Sequence, residues 1–494
     1  MSIFSKSINQ WCYGRINPAL PKTIKIGDVD CCYTNELSVT KGECNGVKVF
    51  ILGLCVDAMG KWNQAEIAQE LAELSFDPFS EATDNLCGVY VIFRVESNGE
   101  VRVLSDATHM MPVYYCISGR NRGVVASCEA LIVDHGEEIS QVSQNVLRGA
   151  NDKGHYLVAD MTMYDSVKCL LANHYLDVSS MAPVRYFPRK TLKKASSERE
   201  VDEIIAKTFE MTRRVVAQFS RQMRFASPLT PGADSRVSCA FLKACSDADV
   251  SYYVIRNNEL TNRREIEPFL NDLARKMGIE DFRVFPEEKY IDEAELRQVR
   301  EECGDIRSWS EIVWAYHPFV KGRAVVRGDI IDHLAKSGFR RQGESEILAR
   351  VGYLKALQRN TSKEGRREFG KWYREMAAGA KGYSYFDLWH WEMRCGRWNS
   401  NTASISNILG IQDVNIFNCT KMLAEWCRLD PKLRSKAIVH RKFIEWLSPS
   451  VSAIPINPYR DLNHEHIPDW LARMLPGWVL FLGKYWMNLR RNGC

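Results

Sequence analysis

RFASPLTPGADSRVSCAFL, residues 224–242, is the stretch that decides the fold of the second half of this chain. The residues before Leu229 predict a short buried strand, and Gly232 lies in a tight turn. Apolar residues then recur at helical spacing from Val237 to Leu242. A strand, a Gly-containing turn and a helix start leave backbone N–H groups that favour an anion. The stretch therefore predicts a turn that binds phosphate.

Two polar side chains follow this turn. Ser235 adds a hydroxyl group, and Asp234 adds a carboxylate that suits a metal ion beside a phosphate. No Gly-Lys-Ser/Thr follows, which excludes a Walker loop. The alternative interpretation is an ordinary strand–turn–helix junction, in which Asp and Ser serve as helix caps.

The turn resembles the pyrophosphate loop of the N-type ATP pyrophosphatases, whose pattern is Ser-Gly-Gly-x-Asp-Ser. Pro231 departs from this pattern at the first Gly, which removes one N–H donor and fixes φ. The resemblance implies ATP as the ligand. The loop residues that it assigns to the nucleotide are Leu229, Thr230, Gly232, Asp234, Ser235 and Arg236.

Composition limits the other classes of protein. The 494 residues predict two or three domains, and 45% hydrophobic with 26% charged residues is typical of a soluble globular protein. A net charge of +5 permits an anionic ligand without indicating nucleic acid. The 16 cysteines show neither CxxC pairs nor zinc spacing. With no signal-peptide core at the N-terminus and no long apolar run, we expect a cytoplasmic protein without a membrane segment.

The first half of the chain alternates apolar runs with turns. A helix is predicted at 64–74, and the strands are predicted at 47–55, 86–95, 101–106, 113–117 and 124–128. Their β-branched and aromatic residues, with Asn-Gly and Arg-Gly turns between them, favour an antiparallel sheet. Strands with flanking helices predict a layered α+β domain.

Four segments in this half resemble, in order, the glutamine amidotransferase domain of asparagine synthetases. They are residues 85–90, 105–115, 126–131 and 166–176, the last standing where the family has one strand. The resemblance implies an Ntn-hydrolase-like sandwich over residues 1–190. The family uses a cysteine exposed at the N-terminus as its glutaminase nucleophile. Ser2 stands there instead and Cys12 lies too far inside, so we expect a scaffold without glutaminase activity; a hydroxyl nucleophile at Ser2 is the alternative.

The second half predicts a doubly wound parallel sheet over residues 191–494. A basic, Ser-rich linker at 188–199 precedes a helix at 201–219, and strands at 250–256 and 282–285 flank a helix at 265–278. Ligands of such sheets bind at the carboxyl ends of the strands. In the resembled family the second strand's end holds the adenine, which assigns Ile255 to the nucleotide.

A second group of candidate binding residues lies at 325–334, where the synthetases carry the motif "L-S-G-E-G-A-D-E-L-F-G-G-Y". Gly328, Asp329 and Asp332 can be laid on its Gly, Glu and Asp, while Ile330 and Ile331 replace Gly and Ala. The resemblance implies that Gly328 contacts the nucleotide. Carboxylates three residues apart suit Mg²⁺ on a pyrophosphate, and Asp234 with Asp332 would be the metal pair. In the alternative, Asp329 caps a helix and Asp332 faces water.

Three later segments complete the pattern. Residues 345–382 predict an exposed helical excursion. Residues 386–398 predict an aromatic core stripe, with Arg394 and Arg397 able to grip an acidic substrate or a phosphate. In the family, a lysine near the C-terminus lies over the charge that develops during adenylation. The resemblance makes Lys442 and Lys436 the candidates for this catalytic lysine. In the alternative interpretation, both belong to an amphipathic surface helix without a catalytic role.

The chemistry that the resemblance implies is adenylation of a carboxylate by ATP and Mg²⁺, followed by amide formation with an amine. Members without the glutaminase cysteine, the β-lactam synthetases and lasso-peptide cyclases, join an amine and a carboxylate of one substrate. We therefore expect an ATP-dependent amide ligase for a specialised amino acid or peptide. The expected partners are this substrate, a substrate-presenting protein and a second copy of the chain. The alternatives are a non-catalytic nucleotide- or partner-binding relative and, least favoured, a nucleic-acid-binding protein.

Overall fold

The computed structural model describes residues 7–61, 63–134, 137–148, 157–256, 264–285, 318–336 and 362–458. Within these ranges the first part of the chain forms two antiparallel sheets and the second part forms a five-stranded parallel sheet. The expected mixed α/β fold is confirmed at this level. The described helices include none that is both long and apolar enough to cross a membrane.

The two antiparallel sheets together contain twelve strands. They are β1 (Trp11–Tyr13), β2 (Lys22–Ile26), β3 (Val29–Tyr33), β4 (Val39–Cys44), β5 (Val47–Asp57), β6 (Leu86–Val95), β7 (Val101–Ser105), β8 (Tyr114–Cys116), β9 (Val125–Ala126), β10 (Val167–Cys169), β11 (His174–Asp177) and β12 (Ala182–Arg185). One sheet has the order β10-β8-β9-β1-β3-β2, and the other has the order β12-β11-β7-β6-β5-β4.

The two sheets pack face to face because successive side chains of a strand point to opposite sides. Phe50 and Leu52 of β5 face the shared core, where Trp11 meets Phe93 with ring centroids 5.3 Å apart. The intervening residue Ile51 packs outward, beneath the helices α1 (Gln64–Glu73) and α2 (Phe76–Ala82). This alternation is compatible with the layered α+β arrangement expected from the sequence.

The second part contains the parallel strands and most of the helices. The strands are β13 (Phe225–Pro228), β14 (Val250–Ile255), β15 (Phe282–Phe285), β16 (Ala324–Val326) and β17 (Asp413–Val414). The helices, in chain order from the first part onward, are α3 (Gln141–Arg148), α4 (Glu198–Ser220), α5 (Ala233–Cys245), α6 (Ile266–Lys276), α7 (Asp329–Leu334), α8 (Lys363–Gly379), α9 (Tyr385–Trp389), α10 (Ser400–Ile408), α11 (Thr420–Cys427), α12 (Pro431–Ser435) and α13 (Ile438–Leu447), with a π-helix at His390–Asn399 between α9 and α10.

The order of the parallel strands, β15-β14-β13-β16-β17, is that of a doubly wound sheet. The chain moves outward from β13 to β15 and then returns to add β16 and β17 on the other side. The strand order therefore reverses between β13 and β16, and ligands of such sheets bind outside the carboxyl ends of the strands at this point. The turn after β13 and the start of α7 both lie there.

Two expectations from the sequence need correction. Residues 166–176 form two strands, β10 and β11, which belong to different sheets, because the turn between them carries the chain across the sandwich. The described part of segment 345–382 is not an exposed excursion, because helix α8 buries Phe369, Trp372 and Met376. Residues 345–361 lie outside the described ranges.

Asn418 joins the two parts of the molecule. Its side-chain amide donates to the carbonyl oxygen of Gly88 at 2.6 Å and to the Asp106 carboxylate at 2.7 Å. The Thr108 hydroxyl donates to the Asn418 amide oxygen at 2.9 Å. Asn418 is fully buried, so each of these groups would be left without water if the bond were lost.

We expect Asn418→Ala to lower the free energy of unfolding by about 2–4 kcal/mol, because it removes buried hydrogen bonds to the Asp106 carboxylate, the Gly88 carbonyl group and the Thr108 hydroxyl group. Denaturant unfolding measures this difference. Asn121→Ala is the matched control, since Asn121 makes its bond to Asp134 in a partly buried turn, and it should cost under about 1 kcal/mol. Equal losses in the two variants would contradict the role given to Asn418.

Buried carboxyl groups make stability depend on pH. Burial raises the pKa of Asp106 to about 6 and that of Glu129 to about 7. The folded state then binds a proton more tightly than the unfolded state does. The contribution of each group to stability is therefore largest at low pH and is lost as pH rises through the raised pKa.

We expect Glu129→Gln to flatten the rise in unfolding free energy between pH 7.5 and pH 5, because the raised pKa of Glu129 contributes to that rise. Denaturant unfolding at a series of pH values measures the slope. Glu138→Gln serves as the control, since Glu138 is exposed on the neighbouring segment. A slope that is unchanged in Glu129→Gln would contradict this account.

Candidate functional site

Hydrogen bonds between its own polar groups stabilise the turn after β13. The backbone N–H of Leu229 donates to the carbonyl oxygen of Tyr253 at 2.8 Å, which continues the pairing with β14. The Ser235 hydroxyl then accepts from the backbone N–H of Thr230 at 3.0 Å and lies 2.8 Å from the Thr230 hydroxyl. These bonds close the turn in the manner of a short loop.

The start of α5 has no side-chain cap, and its N-cap residue is Gly232. The backbone N–H groups of a first helical turn have no partner within the helix and carry the positive end of its dipole. Gly328, at the N-cap of α7, lies close beside this turn. A side chain there would begin 3.4 Å from the backbone of Asp234, so the Gly allows close approach.

Arg236, expected at the nucleotide, is occupied inside the protein. Its guanidinium group donates to the carbonyl oxygens of Pro231 at 3.0 Å, Ile454 at 2.9 Å and Pro455 at 2.6 Å. The backbone N–H of Asn457 also donates to Pro231, at 3.0 Å. Burial lowers the pKa of Arg236 to about 10. The structure therefore places Arg236 as the group that fixes the turn against residues 454–457.

Asp234 is the carboxylate that the turn presents. One of its oxygens, Oδ1, lies 2.7 Å from Nε2 of His440, and the side chain keeps 26% of its surface exposed. His440 itself is fully buried, and no described residue accepts from or donates to its Nδ1. The ring holds one oxygen of Asp234, which leaves the second oxygen for a ligand.

The second group of candidate binding residues lies at the start of α7. Asp332 accepts from Lys336 at 3.0 Å, and Asp329 accepts from the side chain of Asn415 at 3.1 Å. Burial raises the pKa of Asp329. Ile330 and Ile331, which replace Gly and Ala of the resembled motif, are fully buried. In the part of the chain that the structure describes, no group of three His, Cys, Asp or Glu side chains converges as a metal site.

Among the described residues, neither of the two predicted lysines contacts Asp234. Lys442 lies two residues beyond His440 on α13, about 200° around the helix, and its ammonium group is 3.8 Å from the Glu445 carboxylate. Lys436 is exposed at the end of α12. Ile255 lies at the carboxyl end of β14 and packs in the cluster of Tyr253 and Val325.

His440 is the group that sequence reasoning missed. It stands in the same basic segment as the two lysines, but the sequence offers no sign that it pairs with a carboxylate 206 residues away. The only available signal was its position at helical spacing from Phe443 and Ile444, which places it on the inner face of α13.

We expect His440→Ala to weaken binding of Mg²⁺-pyrophosphate about tenfold, because loss of an outer-shell partner typically weakens metal sites by this factor or more. His440→Gln retains an N–H donor and should lose less. Calorimetric titration measures both, with Arg441→Gln on the exposed side of α13 as the control. Binding that is unchanged in His440→Ala would contradict the positioning role.

Neither a protein-family model nor a curated protein sequence matches this chain. The family resemblance therefore rests on the motifs described above, and the function is inferred from them together with the side chains around the turn.

Proposed function

We propose that this protein is an ATP-dependent ligase that adenylates a carboxylate, releases pyrophosphate and couples the acyl group to an amine. The observation that carries the proposal is the partly exposed carboxylate of Asp234 at the uncapped start of α5. This group lies where the strand order of the parallel sheet reverses.

The site suits the phosphates of ATP and a magnesium ion. The first-turn amides of α5 supply donors for phosphate oxygens, although Pro231 contributes none. Mg²⁺ in nucleotide sites is held by one or two carboxylates and by the phosphates themselves. Asp234, alone or with Asp332, meets that need without a third acidic ligand. The bound ion would neutralise the charge that develops on the leaving pyrophosphate.

The reaction has two steps. A substrate carboxylate oxygen bonds to the α phosphorus while the bond to the bridging oxygen of pyrophosphate breaks. An amine nitrogen then bonds to the acyl carbon, loses a proton and displaces AMP. His440 orients Asp234 throughout, and Arg236 holds the turn. Catalysis on this scheme is positioning and charge stabilisation.

The source of the amine follows from the first part of the chain. The antiparallel sandwich is compatible with a glutaminase-like fold, and we propose that residues 1–190 are such a domain and residues 191–494 the synthetase domain. Ser2, at the position of the family's cysteine, lies outside the described residues. The proposed ligase takes its amine from the substrate, as in the related cyclases.

A second candidate is a protein that binds nucleotide without turning it over. The observations that favour it are the ion pair of Lys336 with Asp332 and the buried Ile330 and Ile331 at the Gly-Ala positions. In such a protein the α7 carboxylate would be neutralised by Lys336 and the turn would bind ATP alone.

The test is formation of AMP from ATP with hydroxylamine as the amine, which traps an acyl-adenylate as a hydroxamate. Amino acids and dicarboxylic acids serve as acid probes. We expect Asp234→Asn to lower the rate about 100-fold, because one charged transition-state contact is worth about this factor. Exposed Asp247, just beyond α5, provides Asp247→Asn as the control.

Two outcomes separate the candidates. ATP binding without AMP formation by the unaltered protein, across all the probes, would favour the non-catalytic binder. Full activity of Asp234→Asn would remove the turn from the reaction altogether.

A further inference from the structure

A polar cleft lies at the amino ends of the parallel strands, on the edge of the sheet opposite the turn after β13. Residues that directly precede four of the strands line it: Arg224 before β13, Asp249 before β14, Arg323 before β16 and Gln412 before β17. Its volume is about 850 Å³. Binding sites for small molecules commonly have about 300–1,000 Å³. The cleft is therefore large enough for a metabolite, and the reaction proposed above makes no use of it.

Both parts of the molecule line this cleft. The sandwich contributes Ser38, which precedes β4, and Gly53 of β5, while α4 contributes its carboxyl end. The Ser38 hydroxyl donates to the carbonyl oxygen of Gly53 at 2.8 Å, which fixes the wall on the sandwich side. A ligand in the cleft would therefore contact both parts at once.

Two arginines of the lining carry charges that the fold does not use. Arg221 follows the last residue of α4, and Arg224 precedes β13. Both side chains are exposed, and among the described residues neither guanidinium group forms an ion pair or a hydrogen bond. Their N–H groups are therefore available to a ligand in the cleft.

The third arginine of the lining shows the contrast. Arg323 donates to the carboxylate of Asp249 at 2.6 Å, so these two charges neutralise each other. Glu36 is the remaining carboxylate that lines the cleft. The two unpaired arginines therefore outnumber it by one, and a cleft with an excess of positive charge attracts anions.

The end of α4 does not require these arginines as caps. The backbone N–H groups of Gln222 and Met223 donate to the carbonyl oxygen of Phe219, at 2.9 Å and 3.1 Å, so the helix is closed by its own chain. A cation beside the last turn still gains from the helix dipole, but this effect falls off beyond that turn. The dipole could therefore account for Arg221 but not for Arg224.

We propose that this cleft binds a small organic phosphate through Arg221 and Arg224, remote from the reaction site. A phosphate monoester carries close to two negative charges at neutral pH, and each guanidinium group can give its oxygens two parallel bonds. The side-chain amides of Gln222 and Gln412, which also line the cleft, suit the hydroxyl groups of the organic part. The site does not depend on the ligase function.

The experiment is calorimetric titration of the full chain with glucose 6-phosphate, and with glucose as the uncharged counterpart. Saturating α,β-methylene-ATP and Mg²⁺ are present to occupy the turn after β13, and the titration is repeated without them. We expect one molecule of glucose 6-phosphate to bind per chain under both conditions, at least about tenfold more tightly than glucose, because charge-assisted hydrogen bonds hold the phosphate.

Variants locate the binding. Replacing both arginines, by Arg221→Gln with Arg224→Gln, should weaken glucose 6-phosphate at least about tenfold, and the corresponding pair of lysines should recover part of the affinity. Arg213→Gln is the matched control, because Arg213 is also exposed on α4 but pairs with Glu210. Its affinity for glucose 6-phosphate should be unchanged.

Three results would overturn the proposal. Glucose 6-phosphate that binds no better than glucose would remove the phosphate from the cleft. Binding that disappears when the ATP analogue is present would assign the phosphate to the turn after β13. Unchanged binding in the double Gln variant, with lower stability to denaturant, would leave the arginines with a structural role at α4. Failure of the ligase function is distinguishable, since it would abolish AMP formation and leave binding of glucose 6-phosphate intact.

Discussion

Arg236 fixes the shape of the turn on which the candidate site depends. Its buried guanidinium group binds three carbonyl oxygens, one within the turn and two at residues 454 and 455. Removing a partner from a buried charge is strongly unfavourable, so these bonds keep the two segments together. The orientation of Asp234 and the first amides of α5 follow from this constraint.

The charged groups of the second part divide into two kinds. Arg327 and Arg434 are paired with the buried carboxylates of Asp413 and Asp387 and serve the packing of helices and strands. Asp234 pairs instead with the ring of His440, and its side chain keeps a quarter of its surface exposed. Buried charges are rarely left unpaired in proteins, so half-exposed charges at the reversal of strand order are those available to ligands.

Local pattern predicted much of this fold. Strands β5 and β6 and helices α1 and α4 appear close to their predicted bounds, because long apolar runs and helical periodicity determine them. Several short strands, among them β1, β2, β3 and β12, were not predicted, since so few residues carry little periodicity. The β10–β11 crossing between sheets was missed for the same reason.

The turn after β13 could be predicted because its strand, Gly and helix are adjacent in sequence. The pairing of Asp234 with His440 could not, because 206 residues separate them and only the packing of α13 on α5 brings them together. Arg236 was assigned to the ligand from its place in the loop. The structure shows that its guanidinium group donates to the carbonyl oxygens of Pro231, Ile454 and Pro455, and no local pattern contains the contact with the last two.

The bonds of Asn418 have a consequence for how the molecule unfolds. The apolar interior is continuous across the boundary that Asn418 bridges, since Val91 of the sandwich and Phe417 beside the parallel sheet belong to one cluster. Two bodies that share a single interior cannot open about a hinge without exposing it to water. Cleavage of the connecting segment between β12 and α4 would therefore leave a nicked but associated protein, and melting would proceed as one cooperative transition across both parts.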